Sequence, residues 1–165
     1  PGEKDYYFGY RASSWGWGIW RDRWKIIDWN VTEYEGFIKN KNLVEEFKRG
    51  GSDLPRMLKN QINGKIDSWA IRFCFHQFKY NLKTVFPAKS KLISVGFSNE
   101  ATHTAGSKRF ITPLDKEIKR KYIFEKFKNI DQKIAHEFAS KFSVKSRVYN
   151  QLIKKLSRLK NIFPK

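Results

Sequence analysis

The sequence has few cysteines and no long apolar run. Among its 165 residues there is one cysteine, Cys74, in an apolar stretch. A single cysteine excludes an internal disulfide framework and fits a reducing compartment, so we expect Cys74 to be a core residue. No apolar run approaches the about 20 residues of a transmembrane helix, and no secretory signal pattern is found. We therefore expect a cytoplasmic protein, either free or peripheral on the inner face of the cytoplasmic membrane.

Methionine is equally scarce. The only one is Met57, and the sequence begins with Pro1. We therefore expect a processed chain or a piece of a longer protein. The length fits one domain or part of a larger one, and 40% hydrophobic residues are enough for a core. We place the best internal boundary near Pro113, which separates a first part at 1–112 from a tail at 113–165.

Acidic residues are too few to balance the basic ones. The chain has 34 lysines and arginines against 16 acidic residues, which gives a net charge of +18. The excess is uneven, because residues 108–165 contain 17 basic and 5 acidic residues. Such a tail attracts the phosphates of nucleic acids, of anionic lipids or of a lipid-linked pyrophosphate. A solvated basic face is the alternative interpretation.

Aromatic residues are abundant and concentrated in one segment. The stretch SSWGWGIWRDRW, at 13–24, has four tryptophans, two arginines and an aspartate. Planar apolar faces beside charged donors suit a sugar, which offers C–H faces for stacking and hydroxyls for hydrogen bonds. The alternative is a local aromatic core. Because Trp15 and Trp17 lie on a glycine-bracketed loop, we expect them to line a cleft. We expect Trp20 and Trp24 to share a helix face and to pack inward.

The remaining pattern predicts a mostly helical α/β chain with a few short strands. Strands are predicted at 6–10, 84–86 and 91–95, and helices at about 17–29, 35–48, 52–62 and 69–80. The last segment also fits a strand, because Ile71, Phe73 and Phe75 alternate, whereas Trp69, Phe73 and Gln77 have helical spacing. In the tail, Ile130–Phe142 and Tyr149–Leu159 carry apolar stripes beside basic residues. We expect the first tail helix to dock on the domain and the second to contact an anionic membrane.

Several blocks of the sequence resemble one enzyme family when taken in order. They are YYFGYRASSWGWGIWRDRW, then DW, IDSWAIRF, VFP and SVGFSNEATHT. Together they are similar to the carboxyl-terminal half of bacterial family 2 glycosyltransferases, in the hemolytic-protein-like or capsule-type group, over about 6–104. The resemblance implies the acceptor-side half of a GT-A fold. The nucleotide-binding strands and the Asp-x-Asp motif that precede that half in the family are absent from this sequence.

The resemblance also implies catalytic residues. An inverting sugar transfer needs a carboxylate that deprotonates the acceptor hydroxyl, and many family members place it in a Glu-Asp pair that opens a helix. Asp67 aligns with that base and Arg72 with an arginine that follows it, while Ile66 replaces the first acid. The alternative for Asp67 is an ordinary helix cap. Asp53 is the second candidate base.

Substrate and metal sites follow from the same resemblance. It implies substrate binding by residues of two blocks, namely Trp15, Gly16, Trp17, Arg21 and Arg72. A divalent cation, Mn²⁺ or Mg²⁺, would neutralise the departing diphosphate in the full-length enzyme. His103, in a polar loop at 98–107, aligns with a late-loop histidine that can contribute to this metal site. We expect the two other histidines, His76 and His136, at the surface.

These inferences predict a fragment of a glycosyltransferase. The full enzyme would transfer a sugar from a nucleotide-sugar donor to a surface-polysaccharide or lipid-linked acceptor, and this fragment would be inactive alone. The alternative is a basic module without catalysis, bound to a membrane or to nucleic acid. A pI near 10 favours nucleic acid, but the tryptophans lie away from the most basic segment and no nucleic-acid-binding motif is found. We therefore expect no nucleic-acid partner.

Overall fold

The computed structural model describes residues 4–93, 112–117, 121–126, 129–146, 148–149 and 151–152. This part of the chain is mostly helical, with one small sheet, so the expectation of a helical α/β chain with few strands is confirmed at that level. Its elements are, in chain order, β1 (Tyr6–Gly9), α1 (Arg21–Lys25), α2 (Tyr34–Lys39), α3 (Lys41–Phe47), a 3₁₀ turn (Lys48–Gly50), α4 (Leu54–Ile62), α5 (Trp69–Lys79), β2 (Thr84–Pro87) and α6 (Gln132–Ser140).

The sheet pairs β1 with β2 in antiparallel register. Tyr7 lies opposite Phe86, and their rings stack with centroids 5.2 Å apart. Aromatic and β-branched residues favour such a pleated surface, which explains why both strands were predicted. The strand predicted at 91–95 is not formed at 91–93, and 94–95 lie outside the described residues. In its place, Ser90 forms an isolated bridge with Leu114.

Two predicted helices are shorter than expected. Asn40 divides the helix predicted at 35–48 into α2 and α3, because its side chain accepts hydrogen bonds from the backbone N–H groups of Asn42 and Leu43 and caps α3. The helix predicted at 17–29 is reduced to α1. At its beginning, the backbone of Trp20 is still extended, with ψ at 144°. After its end, the Asp28 carboxylate accepts hydrogen bonds from the backbone N–H groups of Asn30 and Thr32 and stabilises a turn.

The core lies between α2, α3, α4 and α5. Leu54 and Leu58 share one face of α4 and are fully buried. The Phe37 ring packs edge-on against Phe75, with centroids 5.0 Å apart. Cys74 is buried in the same cluster, which confirms its predicted place in the core, and burial raises the pKa of its thiol. Gly51 ends the turn before α4 with a φ of 140°, a conformation that glycine tolerates.

The first tail helix docks on the domain, as predicted. Ile130 and Ala135 are buried, and the ring of Phe138 lies 5.1 Å from that of Phe86 in β2. The ring of Phe142 packs under the Arg11 guanidinium at 3.8 Å. Of the second predicted tail helix, only the beginning is described, and residues 148–149 and 151–152 are helical and exposed. Across the described residues, no helix combines the length and apolarity needed to traverse a bilayer.

Candidate functional site

Four tryptophans meet at the beginning of α5. We call them, with Phe73, the tryptophan cluster; its members are Trp17, Trp24, Trp29, Trp69 and Phe73. Trp17 stacks on Trp69 with centroids 4.9 Å apart and an interplanar angle of 23°. Trp24 lies 4.5 Å from Trp29 and 5.9 Å from Trp17. Such ring pairs stabilise by about 0.5–1.5 kcal/mol each beyond their buried area. The loop before α1 is thereby fixed against the first turns of α5.

Asp67 and Arg72 form an ion pair at the edge of this cluster. The Arg72 Nη2 donates to the Asp67 Oδ1 at 3.1 Å, and the Arg72 Nη1 donates to the backbone oxygen of Trp29 at 3.4 Å. The Asp67 side chain is 94% exposed, whereas that of Arg72 is 26% exposed. The guanidinium thus connects a solvent-facing carboxylate to the backbone of the cluster.

The structure does not show Asp67 as a helix cap. The N-cap residue of α5 is Ser68, and no side chain caps this helix. The Ser68 N–H donates to the Gln61 side chain at 2.6 Å. The Asp67 carboxylate therefore remains directed to Arg72 and to solvent. This placement is compatible with a base that meets an incoming hydroxyl, and the assignment stays a prediction.

Asp53, the second candidate base, lies in the interior. It is 1% exposed. The Arg11 Nη1 donates to its Oδ1 at 2.7 Å and the Arg11 Nη2 to its Oδ2 at 3.3 Å. A carboxylate held in this way has no access to an acceptor hydroxyl, and the placement gives the base assignment no support. No role was predicted for Arg11, although an arginine within an aromatic run is a signal of a buried partner.

The structure separates the substrate-binding residues predicted in the first block. Trp17 belongs to the tryptophan cluster, and Trp15 is partly exposed. Gly16 has a φ of 54°, a conformation that strains other residues, and a Cβ there would meet the side chain of Leu92. Arg21 is exposed on α1. The structure thus brings Trp17 and Arg72 together at the cluster.

The expectation that Trp20 packs inward is wrong. Its side chain is 79% exposed. The helical pairing with Trp24 fails because Trp20 is the extended N-cap residue of α1 and has not yet entered the helix. Trp24 contacts Trp17, Trp29 and Trp69, but it is still 38% exposed, so it packs inward only in part.

The predictions for the three histidines have different outcomes. His76 was expected at the surface, but it is 3% exposed because it lies on the side of α5 that faces the interior. Burial and the charge of Lys79 lower its pKa, against the opposing effect of Asp28. His136 is exposed, as predicted. His103 lies outside the described residues, which contain no group of three histidine, cysteine or acidic side chains able to hold a metal ion.

Comparison of the chain with protein-family models, with curated proteins and with solved structures finds no match. The function of the chain is therefore inferred from the site itself and from the sequence blocks.

Proposed function

We propose that this chain is the acceptor-side part of an inverting, family 2-like glycosyltransferase. The full enzyme transfers a sugar from a nucleotide-sugar to a surface-polysaccharide or lipid-linked acceptor at the inner face of the cytoplasmic membrane. One observation carries the proposal: the exposed Asp67 carboxylate is hydrogen-bonded to Arg72, and the same guanidinium donates to the backbone oxygen of Trp29 in the tryptophan cluster. Indole faces accept the C–H side of a sugar ring, and a carboxylate accepts the proton of its hydroxyl.

In the proposed reaction, Asp67 removes the proton of the acceptor hydroxyl as its oxygen attacks the anomeric carbon of the donor. The bond from that carbon to the nucleoside diphosphate breaks, and the diphosphate leaves with the bonding electrons. Arg72 keeps the carboxylate in place, since its guanidinium is itself hydrogen-bonded to the Trp29 backbone. The tryptophan cluster positions the acceptor ring, which is how an enzyme converts binding into orientation.

The donor side of the reaction lies beyond this chain in the proposal. The nucleotide is bound by an amino-terminal half that carries the Asp-x-Asp motif. The divalent cation, Mn²⁺ or Mg²⁺, belongs to the full-length enzyme, and His103 is its one proposed ligand here. The described residues offer no metal cluster of their own.

The test of this function is Asp67→Asn in the full-length enzyme. Turnover should fall by at least about a hundredfold, the scale of losing a general base, while donor affinity stays constant. Asp22→Asn is a matched control, because Asp22 is also an exposed aspartate beside an arginine, 3.6 Å from Arg23. Turnover of Asp67→Asn within a few-fold of the parent enzyme would contradict the proposal.

A second experiment needs only this chain. Acceptor saccharides should perturb the NMR signals of the indole N–H groups in the tryptophan cluster, and Trp69→Ala should weaken this binding. Tyr80→Ala is the control, because Tyr80 is exposed at the other end of α5. Saccharide binding that both variants leave unchanged would show that the cluster is structural only.

A further inference from the structure

The surface around α1 combines apolar exposure with positive charge. Trp20 is 79% exposed and Ile26 is 65% exposed. Three basic side chains of the helix between them are also exposed, and its one acidic residue is Asp22. We call this surface the α1 patch; its members are Trp20, Arg21, Arg23, Lys25 and Ile26.

Trp20 contributes little to packing within the described part of the chain. It makes no ring contact there, whereas Trp24, four residues later, contacts Trp17, Trp29 and Trp69. What Trp20 supplies to α1 is its backbone oxygen, which accepts from the Trp24 N–H at 3.0 Å. The exposed indole of Trp20, flanked in sequence by exposed basic residues, is therefore available to a partner outside the chain.

We propose that the α1 patch docks on an anionic lipid bilayer. The indole of Trp20 and the side chain of Ile26 would lie at the headgroup level, where tryptophan is enriched in membrane proteins. Arg21, Arg23 and Lys25 would contact the lipid phosphates, which attract basic residues. The net charge of +18 favours an anionic partner, and the aliphatic side chain of Ile26, which cannot stack on bases as an indole can, favours a bilayer over a nucleic acid.

Docking of the α1 patch would also bring the candidate site to the membrane, an inference that depends on the proposed function. Trp24 belongs to α1 and also to the tryptophan cluster. A membrane contact by α1 therefore holds the cluster and Asp67 close to the lipid surface. A lipid-linked saccharide would meet the site there without leaving the membrane.

The tail offers a competing membrane contact, since Tyr149 and Leu152 are exposed as well. The measurement is co-sedimentation of the full chain with phosphatidylcholine vesicles, with and without phosphatidylglycerol. Trp20→Ala should weaken binding to the anionic vesicles at least about tenfold. Arg21→Gln and Arg23→Gln should each weaken it about fivefold. Lys39→Gln and Lys41→Gln, which remove equal charge from other exposed positions, should have smaller effects.

Further measurements distinguish the α1 patch from the tail as the membrane contact. Trp20→Ala should keep the circular dichroism spectrum of the parent chain, because the side chain of Trp20 is exposed. Brominated lipids should quench the tryptophan fluorescence of the parent chain more than that of this variant. The proposal is overturned if Trp20→Ala binds vesicles as the parent does. It is also overturned if removal of residues 146–165 abolishes binding while Trp20→Ala does not, or if Trp20 instead supports self-association without lipid. Asp67→Asn should bind vesicles normally, which separates this test from that of catalysis.

Discussion

The Arg11 guanidinium meets the Asp53 carboxylate in the interior, with Nη1–Oδ1 and Nη2–Oδ2 distances of 2.7 and 3.3 Å. Arg11 comes two residues after β1, and Asp53 precedes α4. The ring of Phe142, after α6, covers the outer side of the guanidinium. A single ion pair therefore connects the sheet, the helical core and the tail.

Breaking this pair from one side should destabilise the fold strongly. Asp53→Ala leaves the Arg11 charge buried without its carboxylate, which costs about 3–5 kcal/mol. Urea denaturation measures the loss. Glu117→Ala is the control, because its ion pair with Lys89 is exposed, and it should cost less than about 1 kcal/mol. Equal effects of the two variants would contradict a structural role for Asp53.

The three tryptophans around α1 should differ in their effect on stability. Trp17→Ala removes the stack on Trp69 and should lower the free energy of unfolding by about 3 kcal/mol. Trp24→Ala removes the contact with Trp29 and should cost about 2 kcal/mol, because the Trp24 side chain is 38% exposed. Trp20→Ala should stay within about 0.5 kcal/mol of the parent chain. Thermal or urea unfolding followed by circular dichroism tests the order. A Trp20→Ala variant as unstable as the other two would refute the exposed placement.

His76 should make the fold sensitive to acid. Its pKa is lowered in the folded chain from the ordinary value of 6.5, by burial and by Lys79. The unfolded chain therefore binds the proton first, and stability is lost as the pH falls below about 6.5 toward the folded pKa. His76→Gln should reduce the loss of unfolding free energy between neutral pH and about pH 5.5. His136→Gln, at an exposed site, should leave the pH dependence as it is; a reduction by both variants would point to a cause other than burial.

The chain alone should not turn over a nucleotide-sugar. Its sequence contains no Asp-x-Asp, the motif of the nucleotide-binding half in the family that the blocks resemble. Purified chain incubated with common UDP-, GDP- and CMP-sugars should release no nucleotide above the rate without protein. Release that Asp67→Asn abolishes would show that this chain carries a donor site as well.

Local patterns were enough for some elements. Both strands were predicted because their aromatic and β-branched residues favour a pleated surface. For α5, the structure matches within one residue the helical interpretation of a segment whose pattern also fitted a strand. In contrast, Asn40 was included in a helix, because hydrophobic spacing says nothing of a side chain that caps the backbone.

Contacts between distant segments could not be predicted in this way. Arg11 and Asp53 are 42 positions apart, and Arg72 and Trp29 are 43 apart. His76 was placed at the surface because the sequence does not tell which side of α5 meets the core. The exposure of Trp20 depends on one extended residue before α1, and helical spacing alone predicted the opposite.

The close packing around Gly51 cannot form all at once during synthesis on the ribosome. A Cβ at this glycine would lie 2.7 Å from Asp53 Oδ1, 2.8 Å from Arg11 Nη1 and 3.1 Å from Phe142 Cβ. Three segments that are distant in sequence therefore leave no free space for a side chain at this position. Arg11 and Asp53 are synthesised well before Phe142. At about 5–20 residues per second, synthesis reaches Phe142 roughly 5–20 s after Asp53. Until Phe142 is made, its ring cannot cover the Arg11 guanidinium, so a nascent chain halted before this residue lacks that cation–π contact.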